Sequence, residues 1–415
     1  MRGGSATMTI TAPEPVDFAD PEIIAAPQPV LDRLREEQPL HWNPSLKGWF
    51  ATRFEDVRQI LSSPHFSVEK FGPVIERADG EARARLETLA KVLSDWIVFM
   101  DPPGHTRLRR AMRTGFMPRD MDALEPKVHE RVDQLLTPLE GSRGAELKAA
   151  FANPLPAMVI GDLFGVPEAD IPELRRWADA LGKFVLGGRQ TPDRHRLAQQ
   201  AVLDFVAYLE RLVAERRADP RPDLTTHLIR YEEDGDRLSN EEIVHSILLC
   251  VWAGYETTAN LIANGTMALA RNPAQAERLA ADPSLIPDAI EEFLRFEGPV
   301  QALVRVAKQD ETVGGAAIKA GDRVFVSLFA ANHDPARFAH PGEFDPARQR
   351  NRHLSFGHGI HLCLGAPLAR LEGRAAFEGL LRRFGDFRIV EEPTWRDELI
   401  TRTAEAVHIG WTPRT

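Results

Sequence analysis

The ten residues Phe356-Gly357-His358-Gly359-Ile360-His361-Leu362-Cys363-Leu364-Gly365 constrain this chain more than any other stretch. They set a single cysteine in a glycine-rich loop, directly ahead of a strong helical pattern running from about Leu364 to Phe384. The thiolate is the form of cysteine that binds metal, and a helix N-terminus favours it. Glycines let a backbone approach a flat macrocycle and take positive φ where needed. Cys363 is therefore a candidate axial ligand to heme iron, where a thiolate donates electron density and promotes O–O cleavage. Two other chemistries use the same residues. Cys363 could be an inert apolar cysteine, or His358, His361 and Cys363 could bind zinc. A structural zinc site usually brings a second ligand pair, and the other cysteine, Cys250, lies in an apolar helical pattern without one.

The chain has 415 residues, enough for a large core, and no Gly/Ser linker or repeat divides it. The expectation is a single domain over residues 1–415, with a flexible tail over 1–20. A net charge of −10 argues against nucleic acid as a partner. Two cysteines make no disulfide framework and fit a reducing compartment. Met1 to Pro13 lack the apolar centre of a signal peptide, and no stretch has the apolar length of a membrane span. These features predict a soluble, cytoplasmic protein.

The residue patterns predict helices over Val30–Glu37, Glu55–Leu61 and Gly80–Leu93, then a mostly helical region from His105 to about Gly265, with breaks that include Pro154, Pro167 and Gly187–Gly188. The longest helix should run from Ser239, with Glu242 completing a capping box, to Arg271, where Pro273 ends it. Another covers Ile286–Phe296. Strands are expected at Leu40–Trp42, Gly48–Thr52, Val300–Val306, Ala317–Ile318 and Arg323–Leu328. The fold class is mainly α with a minor β lobe.

Three further patterns carry chemistry. Glu292 and Arg295 lie three apart on one helical face and can pair. Ala253-Gly254-Tyr255-Glu256-Thr257-Thr258 sits mid-way along the longest helix, where a Gly followed by a Thr, whose hydroxyl competes for backbone carbonyls, should distort it. Asp101-Pro102-Pro103-Gly104-His105 opens a basic helix, with Arg109 one turn beyond His105.

These motifs, in this order and spacing, resemble the cytochrome P450 family, specifically its soluble bacterial class, over nearly the whole chain. The resemblance implies the cytochrome P450 fold and heme b (iron protoporphyrin IX), with Cys363 as the iron ligand, Phe356 beside it, and Ala253 and Gly365 against the cofactor. It implies that His105, Arg109, Arg305 and His361 hold the heme propionates, and that Glu256 and Thr257 deliver protons to dioxygen. Glu292, Arg295 and Arg348 would form a buried structural triad. A pocket lined by Trp96, Val98, Phe184, Leu249, Trp252, Ala253, Leu303, Val304, Ile400 and Thr401 would take a small or medium apolar molecule, with Trp252 either narrowing it or turned into the core. Arg107, Arg110 and Arg113 would be solvated or would dock an acidic ferredoxin, since no electron-carrying module is evident. The implied activity is monooxygenation by dioxygen. The alternatives are a peroxide-driven heme-thiolate enzyme and a non-catalytic heme- or ligand-binding protein.

Overall fold

The computed structural model describes residues 16–69, 72–76, 78–186, 193–233 and 235–414. Helices dominate, and local chemistry accounts for their ends. The long helix Asn240–Arg271 opens on the expected capping box: Glu242 N–H donates to Ser239 Oγ at 3.1 Å, and Ser239 N–H donates to the Glu242 carboxylate at 2.8 Å. Helix Pro154–Phe164 stops at Gly165, whose φ of 71° suits glycine; a Cβ there would lie 2.1 Å from Asp223 Oδ2. The long helix is the hub of the protein. It packs against Pro154–Phe164, Arg194–Ala218, Ile286–Glu297 and the C-terminal helix Ala366–Arg383, and most of its side chains from Ile243 to Leu269 are buried. Despite Gly254 and Thr257 it stays helical from end to end.

The remaining expected helices form as Gln28–Glu37, Phe54–Ser62, Gly80–Leu93 and Ile286–Glu297. The expected break at Gly187–Gly188 lies outside the described residues.

Five strands make the larger sheet, in the order Leu40–Asn43, Gly48–Ala51, Arg323–Ser327, Ala302–Ala307 and Phe66–Ser67. Only the pairing of Gly48–Ala51 with Arg323–Ser327 is parallel. Val300 does not start its strand, but bridges to Thr401 instead. A second sheet, not anticipated, joins Phe384–Ile389, His408–Pro413 and Gly144–Glu146.

The expected tail over 1–20 is corrected in part: residues 1–15 lie outside the described residues, but Val16 and Phe18 are buried. Phe18 stacks on Phe50 at 4.4 Å, and Asn43 Nδ2 donates to the Val16 carbonyl at 2.9 Å. Two apolar side chains and one backbone bond suffice to fasten the segment to the sheet. Among the described residues, no helix is long and apolar enough to cross a membrane.

Candidate functional site

The cysteine loop is tied from behind by helix Ile286–Glu297. Ser355 Oγ donates to the Leu294 carbonyl at 2.6 Å and accepts from Asn332 Nδ2 at 2.8 Å. Arg295 and Glu292 are wholly buried and paired twice at 2.7 Å, and Arg348 reaches both Glu292 oxygens at 3.1 Å. The three residues expected as a triad are thus together. Positive φ at Gly357 (75°) and Gly359 (73°) bends the loop forward. A Cβ on Gly359 would meet the Leu61 carbonyl at 3.0 Å.

Cys363 N–H then donates to the Phe356 carbonyl at 2.8 Å, closing the loop on the residue expected beside it. Cys363 is exposed as a residue, while its thiol is surrounded by protein atoms. That enclosure raises its pKa, while N–H groups of Gly365 and Ala366 and the charges of Arg109 and Arg370 favour the thiolate. Arg370 was missed in the sequence. It stands over the Phe356 ring at 4.5 Å, held by Glu291 through bonds of 2.7 and 2.8 Å. Its position one turn into the helix after the loop was the available clue.

Basic side chains gather at one edge of this loop. His105 is buried and neither ring nitrogen has a hydrogen-bond partner; its ring lies 4.3 Å from that of His361. Arg305 is buried too, and bonds only the carbonyl of its neighbour Val304, at 3.0 Å. Burial lowers its pKa to about 10, with Asp101 opposing. Burial, then Arg305 and His105, pull His361 down to about 3. Arg109 donates to the Leu362 carbonyl at 2.5 Å. Buried donors without acceptors are costly, and among the described residues no carboxylate bonds any of these four. The set fits the two carboxylates of heme b, and Cys363 fits its iron.

On the long helix, Thr257 Oγ1 donates to the Ala253 carbonyl at 2.8 Å. Glu256 is not on a solvated face: Arg396 Nη1 donates to its Oε1 at 2.7 Å. Its pKa is pushed up to about 7, first by burial and also by Glu398 and Asp179, against Arg396 and Lys148.

The expected pocket residues divide. Trp96 is fully buried and Leu249 is buried in the main core. Trp252 is half-buried and packs against Trp96 at 4.9 Å at the edge of the main core. Val98 is exposed, and Phe184 packs edge-on to His195 at 5.4 Å. Leu303 faces the cysteine loop, 3.9 Å from the Cβ position of Gly357. Val304 is a correction. Strand alternation turns it away from Leu303 and Arg305, against the cluster of Phe18, Phe50 and Phe329. The Ile400 carbonyl accepts from Gln301 N–H at 2.8 Å, at the entry to that strand.

Arg107 is solvent-exposed as expected, at 37% of its side chain, but it is engaged by acids. It pairs with Asp236 at 2.7 and 2.8 Å and also with Glu242. Arg110 and Arg113 do line an open depression of about 1260 Å³ with Arg109, Arg119 and Arg230, next to the exposed Ile360 and Leu362. Glu232 and Glu233 line it too, and Glu233 lies 3.7 Å from Arg110.

The sequence model of one family, Cytochrome P450, matches residues 76–399. Cytochrome P450 CYP107DY1 of Priestia megaterium is 39% identical over 353 residues, covering 83% of this chain and 84% of that protein. Vitamin D(3) 25-hydroxylase of Pseudonocardia autotrophica is 36% identical, covering 98% of this chain and 99% of that one. Among solved structures, P450BioI in complex with hexadec-9Z-enoic acid ligated acyl carrier protein superposes with a TM-score of 0.88 at 33% identity, covering 94% of this chain and 99% of that one.

Proposed function

The chain belongs to the cytochrome P450 family, and on that premise we propose how its residues divide the work of a heme-thiolate monooxygenase. Its cofactor is heme b. When bound, this group with its thiolate ligand supplies the dioxygen and one-electron chemistry. One observation carries the assignment of residues: exposed Cys363 lies beside a cluster of basic donors, two of them buried, that no carboxylate among the described residues satisfies.

In this reading Cys363 ligates the iron, and two N–H groups and two arginines hold its negative charge. His105, Arg109, Arg305 and His361 bind the propionates, Arg305 through its fork. Ala253 and Gly365 would lie against the heme, and Gly365 caps the helix that follows Cys363. Glu292, Arg295 and Arg348 keep the segment before the cysteine loop in register. Glu256 takes up a proton near neutral pH and would hand it to the Thr257 oxygen as that hydroxyl gives up its own proton. The protein acts as a single domain in the cytoplasm.

The substrate is an apolar molecule of small or medium size, hydroxylated at a carbon. Leu303, Val98, Phe184 and the half-buried ring of Trp252 supply apolar walls. Electrons come from a separate ferredoxin and its reductase. The depression lined by Arg110, Arg113, Arg119 and Arg230 suits an acidic carrier, and exposed Ile360 and Leu362 beside it offer an apolar centre.

Titrating the heme-loaded protein with vitamin D3, hexadec-9Z-enoic acid and smaller terpenes tests the reading. A ligand that moves the Soret band should be hydroxylated when ferredoxin, reductase and NADPH are added, with the new oxygen drawn from labelled dioxygen. Product oxygen drawn from water, or formation with peroxide but never with reduced ferredoxin, would refute it.

A further inference from the structure

The open depression beside the cysteine loop is lined by Arg109, Arg110, Arg113, Arg119 and Arg230, yet two glutamates line it as well. Helix Gly104–Arg113 supplies the first three arginines, and Arg230 ends helix Leu224–Arg230. The glutamates, Glu232 and Glu233, form the first strand of a short hairpin whose second strand is Asp236–Arg237. This hairpin joins helix Leu224–Arg230 to the long helix. It sets acids inside a surface whose other charged side chains are basic.

Two strands this short do not hold themselves in water, so their fastenings matter. The register sets Glu232 opposite Arg237 and Glu233 opposite Asp236. The first pair is ionic: Arg237 Nε donates to Glu232 at 2.7 Å. The second puts two acids side by side, which is unfavourable unless cations offset them. Helix Gly104–Arg113 provides those cations one turn apart. Arg107 forks onto Asp236 at 2.7 and 2.8 Å and donates to the Arg237 carbonyl at 3.0 Å. Arg110 lies 3.7 Å from Glu233, which also accepts from the Tyr231 hydroxyl at 2.6 Å. The two fastenings are unequal. The side chains of Arg110 and Glu233 are 59% and 44% exposed and stand too far apart for a hydrogen bond.

We propose that this hairpin is an internal competitor for the electron carrier: Glu233 occupies Arg110 until an acidic carrier displaces it, and takes Arg110 back as the carrier leaves. The inference rests on the ferredoxin-docking reading above. The hairpin offers the basic helix what the carrier would offer, adjacent carboxylates. Arg107, forked onto Asp236 and paired with Glu242, keeps the hairpin in place. Arg110 is the exchangeable site, because an exposed ion pair holds weakly and water already reaches both of its groups. A docking carrier must draw Arg110 off Glu233 and bear the repulsion of that carboxylate. Arg113, Arg119 and Arg230 are there to meet a strongly acidic carrier, and they still outweigh the two glutamates for attraction from a distance. Monooxygenation takes two electrons, so a one-electron carrier must dock and leave twice for each dioxygen. A competitor that returns to Arg110 speeds the leaving.

The test uses the heme-loaded full chain and a [2Fe–2S] ferredoxin with a strongly acidic surface. Stopped flow and calorimetry give the association rate, the release rate and Kd. At low salt E233Q should bind the ferredoxin about threefold to tenfold tighter, through faster association and slower release. The gain should shrink at about 0.2 M salt, where exposed charges are screened. In an R110Q background, where the contested cation is gone, adding E233Q should change Kd by about twofold at most. E87Q removes an exposed acid outside the depression and should leave Kd within about twofold of wild type. R113Q and R230Q should each weaken docking by about threefold or more. If R113Q and R230Q weaken docking but E233Q binds no tighter than wild type, the competitor is overturned. A gain from E233Q as large in R110Q as in wild type, or matched by E87Q, would overturn it too. If R113Q and R230Q both bind the ferredoxin as wild type does, the docking reading beneath it fails instead.

Discussion

Replacing Glu292 by glutamine removes one charge from the most crowded carboxylate near the cysteine loop. Glu292 accepts two bonds of 2.7 Å from Arg295, two of 3.1 Å from Arg348, one of 2.9 Å from Asn351 and one of 3.1 Å from the Asp345 N–H. Arg295, equally buried, passes its remaining N–H groups to the carbonyls of Asn332, Pro341 and Glu343. Glutamine keeps the shape but has one acceptor oxygen, and it adds an NH₂ where guanidinium N–H groups already point. Two guanidiniums, with side chains only 0% and 12% exposed, would lose their counter-charge. Removing one partner of a buried pair costs about 3–5 kcal/mol, against a total stability of about 5–15 kcal/mol. The segment these arginines hold leads into the cysteine loop, so E292Q should also release heme at lower urea than wild type does. Urea unfolding of the heme-loaded proteins, followed by tryptophan fluorescence and Soret absorbance, measures both. A loss below about 1 kcal/mol, the value of an exposed pair, with heme retained as in wild type, would refute the reasoning.

Three further perturbations read other parts of the account. Burial raises the Glu256 pKa from 4.5 to about 7, so the folded state binds its proton more tightly than the unfolded chain. Stability should fall by ~3 kcal/mol as pH rises through that window. E256Q should match wild type near the bottom of the window and exceed it above, with Arg396 keeping Glu398 and Glu405 as partners; parallel urea profiles would contradict this. Glu372 is wholly buried, neither oxygen has a partner among the described residues, and its pKa is raised well above 4.5 by burial. E372Q should equal wild type in thermal melts at about pH 4 and gain on it steadily toward about pH 8; a variant less stable at every pH would mean that the carboxyl serves a partner. Trp252→Ala removes a ring packed 4.9 Å from Trp96, and in spectral titrations should favour bulky over small ligands by about tenfold; an unchanged size preference would show that Trp252 does not bound the pocket.

What could be read from the sequence was what local rules govern. The capping box at Ser239 and Glu242 and the period-3.6 patterns located the helices to within a few residues. The strand pair around Trp42 and Trp49 followed from bulky residues on either side of a short turn. The second sheet was invisible because Gly144–Glu146 is only three residues long and its partner His408–Pro413 is more than 250 positions away. The same division runs through the site. Cys363, His361, His105 and Glu292 stand in motifs whose spacing is itself chemical information. Arg396 stands in none, and only the fold brings it 2.7 Å from Glu256. The ion pairing of Arg107 could not be read because its counter-charges, Asp236 and Glu242, lie about 130 residues on. The resemblance implied both Leu303 and Val304 for the pocket, although a strand sends adjacent side chains to opposite faces.

The central claim, one sulfur bonded to heme iron at Cys363, is tested most directly by reducing the purified heme-loaded protein under carbon monoxide. The account predicts the long-wavelength Soret band of thiolate coordination in wild type and its loss, with a shift to shorter wavelength, in a heme-loaded Cys363→His variant. A folded wild-type protein that never shows the band, or a C363H protein that keeps it, would contradict the account.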